Sequence, residues 1–177
     1  MEKQIFDACD IENSISRIAA EIRDRSPDLS SLAIIGIKKR GDVLAKRIAR
    51  KIQTVEKEEI GISAIDITFY RDDVQLKAYK NVLKNDIRVD VSDKTVLLVD
   101  DVISTGRTIR AAIDVVIDFG RPRSIQLAVL IDRGGREIPI QPDYVGQKMD
   151  IDPDIEVSVR LNEVDGEDRI IISDDGL

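Results

Sequence analysis

The chain has 177 residues, 42% of them apolar and 34% charged, a size and balance that suit one folded core and exclude wholesale disorder. Asp plus Glu number 34 against 27 Lys plus Arg, a net charge of -7, which excludes wholesale attraction to a polyanion. With no histidine and a single cysteine, Cys9, there is no material for a zinc site, an internal disulfide or a histidine-based triad, so any chemistry must run on carboxylates, a hard metal or positioning.

Ile11, Ile15, Ile18 and Ile22 fall at helical spacing and predict an amphipathic helix over residues 11–25, with Asp10 as N-cap and Pro27 beyond the end. A continuous apolar run at residues 32–37 then predicts a buried strand, followed by a charged turn and a helix carrying Leu44, Ala45, Ile48, Ala49 and Ile52. Residues 60–70, rich in β-branched and aromatic side chains, predict a further strand. A second apolar run, Val96 to Val99, ends at Asp100 and Asp101 and leads through a turn into a helix with Ile109, Ala112, Ile113 and Val116, stopped by Gly120 and Pro122. Residues 124–131 predict a third buried strand, and residues 157–161 and 169–172 two short ones, after an irregular stretch containing Gly and Pro. Continuous apolar strands alternating with helices imply an α/β fold whose mostly parallel sheet is covered on both faces, with ligands at the carboxyl ends of its strands. No apolar run approaches the roughly 20 residues that span a bilayer, and Met1-Glu2-Lys3 opens no signal-peptide core, so a cytoplasmic protein without membrane partners is expected.

The chemistry concentrates in residues 96–108, Val-Leu-Leu-Val-Asp-Asp-Val-Ile-Ser-Thr-Gly-Arg-Thr. A buried strand delivers Asp100 and Asp101 to the sheet edge. The following Val102, Ser104, Thr105, Gly106, Arg107 and Thr108 bring hydroxyls and backbone N–H groups to a helix N-terminus, where dipole and unpaired donors favour a phosphate. Acids beside an anion cradle suit a phosphorylated sugar: the phosphate takes the loop, and the carboxylates take vicinal hydroxyls or a divalent metal. An arbitrary Asp-Asp pair more often just caps a strand, but the whole string is more specific than that. No Gly-x-x-x-x-Gly-Lys-Ser/Thr run and no Gly-x-Gly-x-x-Gly after a strand occur, and an aspartyl-phosphate receiver leaves Thr105-Gly106-Arg107-Thr108 unexplained. Gly36-Ile37-Lys38-Lys39-Arg40-Gly41, also between an apolar strand and a helix, offers a second anion site, although three consecutive cations alone are usually a solvated corner.

Four apolar residues, two acids and a Thr-Gly-x-Thr loop resemble the binding signature of type I phosphoribosyltransferases. Further segments extend the likeness over nearly the whole chain: residues 36–41, residues 65–73 (Ile-Asp-Ile-Thr-Phe-Tyr-Arg-Asp-Asp), residues 120–134, Arg136-Glu137-Ile138-Pro139-Ile140 and Asp143-Tyr144-Val145-Gly146. Together they resemble the PyrR-type family of bacterial pyrimidine operon attenuation regulators that are also uracil phosphoribosyltransferases. The resemblance implies the type I fold in a single domain over residues 1–177, with a small hood over about residues 132–177 plus the N-terminal helix. It implies transfer of ribose 5-phosphate from phosphoribosyl pyrophosphate to uracil, giving UMP and pyrophosphate with Mg2+ as cofactor.

Carried over residue by residue, the catalytic set is Asp100, Asp101 and Arg40, with Asp100 and Asp101 also reaching the metal, partly through the ligand. The ribosyl donor falls to Asp100, Asp101, Val102, Ser104, Thr105, Gly106, Arg107 and Thr108, of which Arg107 itself is read as solvating the helix start. Lys38, Lys39, Arg40 and Gly41 form the pyrophosphate loop, with a non-proline cis peptide in or beside Lys38-Lys39. Arg71, Asp72 and Asp73, followed by Lys77, Lys80 and Lys84, look like the family's flexible loop. Uracil rests under the segment from Ile131 through Asp132 and Arg133 to Tyr144, contacted largely by main-chain groups.

The family's other activity implies a pyrimidine operon leader RNA as partner, gripped more tightly with uridine nucleotides, and a homodimer or higher homo-oligomer. This sequence departs from the RNA-binding pattern. Ala20 and Gly135 stand where histidines are typical, Gln141 and Gln147 are uncharged where cations are common, and Arg17, Arg133, Arg136 and Lys148 remain as a smaller patch. Lys39 also replaces a more usual small polar residue in the pyrophosphate loop.

Overall fold

The computed structural model describes residues 2–57, 59–67 and 87–174. Strand β1 (Glu2–Phe6) precedes helix α1 (Ala8–Arg25), and a single 3-10 turn (Leu29–Ser31) leads to β2 (Leu32–Ile37). Helix α2 (Gly41–Glu56), β3 (Gly61–Ile65), β4 (Thr95–Ile103), α3 (Arg107–Phe119), β5 (Ser124–Asp132) and β6 (Tyr144–Lys148) follow. The chain closes with β7 (Ile155–Arg160), the short α4 (Asn162–Asp165) and β8 (Arg169–Asp174).

Helix α1 begins three residues earlier than the apolar spacing predicts, because Asp7 rather than Asp10 is its N-cap. The Asp7 carboxylate accepts from the N–H groups of Cys9 (2.8 Å) and Asp10 (3.0 Å), and the Asp10 carboxylate accepts from the Asp7 N–H (3.1 Å), a reciprocal pairing that satisfies otherwise orphaned donors. The isoleucines expected to be buried, Ile11, Ile15, Ile18 and Ile22, all are.

Five strands form one wholly parallel sheet in the order β3-β2-β4-β5-β6. Its residues alternate between two cores. Ile34, Leu97, Val99 and Leu130 pack with α1 and α2, whereas Ala33, Ile35, Val96, Leu98 and Val129 pack with α3 on the other face. Burial on both faces is why these strands read as unbroken apolar runs.

The chain leaves β2 for β3 on one side and returns to β4 on the other, so the strand order reverses between β2 and β4. Loops after those two strands therefore diverge to opposite faces and leave a crevice at the carboxyl edge.

Sequence expectation and structure part company in three places. Strand β4 runs on through Asp100 and Asp101 to Ile103, because its partner continues: Asp100 pairs with Val129, Val102 with Ile131 and Ile103 with Asp132. Strand β6, with Gly146 and Gln147 inside a stretch read as irregular, forms because β5 offers its free edge to Tyr144, Val145 and Gln147. The strand expected over residues 60–70 is present as β3 over Gly61–Ile65 only, with Ile60, Asp66 and Ile67 outside it, and residues 68–70 lie outside the described residues.

The second sheet is antiparallel, in the order β1-β8-β7. Val157, Val159 and Ile170 turn inward to join the core shared by α1 and α2. The N-terminal piece of this small sheet is β1, and α1 packs on α2 and β6, its isoleucines sharing one core with Val157, Val159 and Ile170. Among the described residues no helix is long and apolar enough to cross a membrane.

Candidate active site at the β2–β4 crevice

Strand β4 carries both acids to the crevice. Asp100 is 6% exposed, and its Oδ1 accepts from the Asp101 N–H at 3.0 Å, while Asp101 Oδ1 accepts from the Val102 N–H at 2.8 Å. Burial holds the Asp100 carboxyl well above the usual carboxylate range, and the adjacent Asp101 charge adds to the effect. Burial raises Asp101 too, opposed by the Val102 N–H and by the positive charge of Arg40. Adjacent buried carboxylates of this kind resist full ionisation until a cation or a set of hydroxyl donors arrives.

Immediately beyond, residues 104–106 form the turn into α3. Gly106 takes the N-cap in the left-handed conformation (φ 90°) and provides no side-chain cap. Thr105 Oγ1 accepts from the Arg107 N–H at 3.3 Å, and the helix start faces the crevice with the donors that suit an anion. On the neighbouring strand the loop after β2 carries a cis peptide between Lys38 and Lys39. The Lys38 N–H is fixed on Ile65 O at 2.9 Å.

Gly41, opening α2, lies directly against β4: a Cβ there would stand 2.3 Å from Val99 O and 3.1 Å from Asp100 Cα. The residue type is dictated by that approach, and it brings Lys38, Lys39 and Arg40 next to the acid pair. The structure thus gathers residues 104–106, the acid pair and residues 38–41 in one crevice.

Arg40 is not a free cation. Its Nε and Nη2 donate to Asp165 of α4 at 3.0 and 2.8 Å, and Asp165 is itself held by the Leu161 N–H at 2.9 Å. The Arg40 guanidinium therefore stands between Asp101 in the main sheet and Asp165 in the hood. Arg47, one face further along α2, binds Glu163 and Asp168 together. Asp165, Glu163 and Asp168 have no counterpart among the residues singled out from sequence. Residues 38–57 are rich in cations and the stretch after residue 143 is rich in acids, a complementarity that marks the two segments without naming the pairs.

At the carboxyl end of β5, Ile131 is buried. Asp132 accepts from the Gly134 N–H at 3.1 Å and pairs with Arg136 at 2.8 Å. Arg133 reaches the carbonyls of Asp152 and Pro153 at 3.0 and 3.1 Å. Both polar side chains are thus committed to the protein. The Glu137 and Ile138 N–H groups donate to Thr105 O at 3.0 and 3.2 Å, so residues 137 and 138 lie along the turn at residues 104–106. Arg107 reaches across to Glu137 at 2.6 Å on the exposed rim.

The hard carboxylate oxygens of Asp100 and Asp101 suit Mg2+, which keeps several waters and binds through substrate phosphates. Among the described residues no cluster of three or more metal-ligating side chains exists, so a metal that the chain alone would cage does not fit, while one carried largely by a phosphorylated ligand does. The residues Arg71, Asp72 and Asp73 lie outside the described residues.

Of the cations expected to meet RNA, Arg17 and Lys148 sit at the open edge formed by α1 and β6. Arg17 pairs with Glu21 at 3.0 Å and donates to the carbonyls of Val145 and Gly146, and Lys148 is exposed at the end of β6. Arg136 points inward and is only 14% exposed. A guanidinium placed there meets protein acceptors, not an outside backbone.

Comparison with known proteins agrees with this geometry. The family model described as phosphoribosyl transferase domain matches residues 1–164. A protein of Pelotomaculum thermopropionicum called bifunctional protein PyrR is 49% identical over 170 residues, covering 96% of this chain and 94% of the relative. One of the same description from Enterococcus faecalis is 44% identical over 97% of both chains. Among solved structures, the hypoxanthine phosphoribosyltransferase of Trypanosoma cruzi superposes with a TM-score of 0.72 at 22% identity, over 96% of this chain and 95% of that one. That likeness establishes a type I phosphoribosyltransferase fold, and the chain belongs to the phosphoribosyltransferase family and, within it, to the PyrR group of bifunctional proteins.

Proposed function

We propose that this chain is a uracil phosphoribosyltransferase, a pentosyltransferase that works as one domain in the cytoplasm and as a homodimer or higher homo-oligomer. It transfers ribose 5-phosphate from phosphoribosyl pyrophosphate to uracil, giving UMP and pyrophosphate. The observation that carries this reading is the contact of Gly41 with the backbone of Val99 and Asp100, which sets two anion-binding turns on either side of a buried acid pair.

In this reading Ser104, Thr105, Gly106, Arg107 and Thr108 hold the 5-phosphate, with Val102 beside them, and Asp100 and Asp101 accept the ribose hydroxyls. Lys38, Lys39, Arg40 and Gly41 hold the pyrophosphate. As the bond from the ribosyl carbon to pyrophosphate breaks, positive charge develops on the sugar and negative charge on the leaving group. The carboxylates stabilise the first, and the loop donors with Arg40 the second. Asp100 and Asp101 would hold Mg2+, partly through the ligand, and the metal would supply neutralisation of pyrophosphate charge. Backbone groups around Ile131, Asp132 and Arg133 hold uracil in line.

The test is a nucleobase panel with labelled ribosyl donor. Uracil-dependent release of pyrophosphate is expected; turnover with another base and none with uracil overturns the assignment.

A second activity is favoured by the relatives' description as bifunctional and by the open α1–β6 edge. It is UMP-responsive binding of a pyrimidine operon leader RNA, with Arg17 and Lys148 as phosphate contacts. Filter binding of a leader hairpin with and without UMP reads it directly, and equal retention in both arms rejects it.

A further inference from the structure

Arg136 lies in a stretch that reads in sequence as irregular, yet every nitrogen of its guanidinium has a protein acceptor. Nη2 pairs with Asp132 at 2.8 Å, and the two side chains are 14% and 12% exposed. Nε donates to Ile140 O at 2.9 Å. Nη1 donates to Ser104 O at 3.0 Å, with Gly134 O at 3.4 Å, and Nη2 also meets Gln141 Oε1 at 3.4 Å. Ser104 opens the phosphate turn, whereas Gly134 and Ile140 bracket the segment on the base side. One planar fork therefore spans the two halves of the site, in a geometry that a lysine cannot reproduce.

The surrounding backbone is built for this bridge. Gly134 and Gly135 are both left-handed (φ 73° and 74°) and fold the chain back over the turn, where a Cβ on Gly135 would stand 3.4 Å from Ser104 Oγ. A side chain at 135 would carry strain whatever the space. Asp132 holds the Gly134 N–H as well as Arg136, so the pair fixes the fold-back from inside.

We infer that Arg136 is a positioning residue, anchored by Asp132, that sets the phosphate turn and the base-side segment at the separation a nucleoside monophosphate requires. The inference rests on the reading of the site given above. A nucleotide measures that separation, since its ribose fixes the distance from phosphate to base. Ligands that fill only one half do not. Two half-sites out of register still bind their own fragments, but the joined ligand loses the advantage of binding both at once, and so does the transfer step that must bring ribosyl carbon and uracil together.

The experiment compares wild type, Arg136→Gln and Arg136→Lys by calorimetric titration with UMP and with ribose 5-phosphate, alongside thermal melts, uracil turnover and leader-hairpin binding. Both variants are expected to bind UMP at least about tenfold more weakly and to lose kcat. Affinity for ribose 5-phosphate should stay within about twofold. Arg136→Lys keeps the charge beside Asp132 and guards against a variant that merely fails to fold.

A lowered Tm with UMP affinity unchanged makes Arg136 a stability residue and overturns the inference. Equal losses for UMP and ribose 5-phosphate overturn it as well, as does a loss of hairpin binding with UMP affinity intact. Wild type that binds no UMP sinks the underlying reading and the inference together, whereas a wild type that binds it beside an indistinguishable Arg136→Lys sinks the inference alone.

Discussion

Asp100 and Asp101 at the carboxyl end of β4 contrast with Glu163, Asp165 and Asp168 around α4. The first pair is buried beside itself, and both groups are pushed above their ordinary value. The second set is gripped by Arg47 and Arg40, and all three are held below theirs. The same residue types thus serve opposite ends: one group is left electrostatically unfinished, and the other is completed to fasten the small sheet to the main one. Unfinished charge in a crevice is what a ligand can complete, and completed charge is what docking uses.

The largest effect expected from this contrast is on turnover. Replacing Asp100→Asn together with Asp101→Asn should cut pyrophosphate release by about a thousandfold or more, because the charges that stabilise the ribosyl transition state in the proposed mechanism go. The same variant should melt no lower than wild type, since it removes charges that burial disfavours. An undiminished rate would refute the site, and a collapse in Tm would refute the idea that the pair is unfinished.

Next in size is the docking set. Arg47→Met strands Glu163 and Asp168 and should cost about 2 kcal/mol in denaturant unfolding. That is less than for a fully buried pair, because Glu163 is 47% exposed. A cost near zero would mean that the small sheet is held by its apolar contacts alone.

The smallest effect is the pH dependence that separates the two groups. Acids with lowered values contribute stability above their ordinary 3.8 or 4.5, and that contribution is lost as pH falls through the lowered values. For Asp100 and Asp101 the sign is reversed: stability is fully present below 3.8 and is lost as pH rises through the raised values. Melting curves should therefore show the double Asn variant matching wild type in acid and gaining on it upward from about pH 4. Arg47→Met should instead lose its deficit toward acid. Parallel curves for all three proteins would erase the distinction.

The main sheet was largely legible in the sequence because strands buried on both faces have to be continuously apolar, and the helices between them have to be periodic. The acids and the phosphate turn stood out for a related reason: a strand that ends at a crevice changes abruptly from apolar to charged. Strand β6 was not legible, since a strand recruited by its neighbour's free edge needs no pattern of its own. Neither were β1 and the pairing of α2 with α4, which depend on contacts between remote parts of the chain. Arg136 carried a misleading signal. Its charge suggested an outward role, and only the fold-back at Gly134 and Gly135 turns it inward.

The pairing of β1 with β8, Glu2 beside Ser173, bears on how the molecule is made. On the ribosome β1 emerges long before its partner, and β8 also lies between β1 and β7. Until β8 arrives, both of its neighbours have bare edges, while β2 through β6 already have their partners. Closing so long a loop is entropically costly unless an existing body brings its ends together. The nascent parallel sheet is that body, so the three-stranded sheet closes only on a parallel sheet that is already formed.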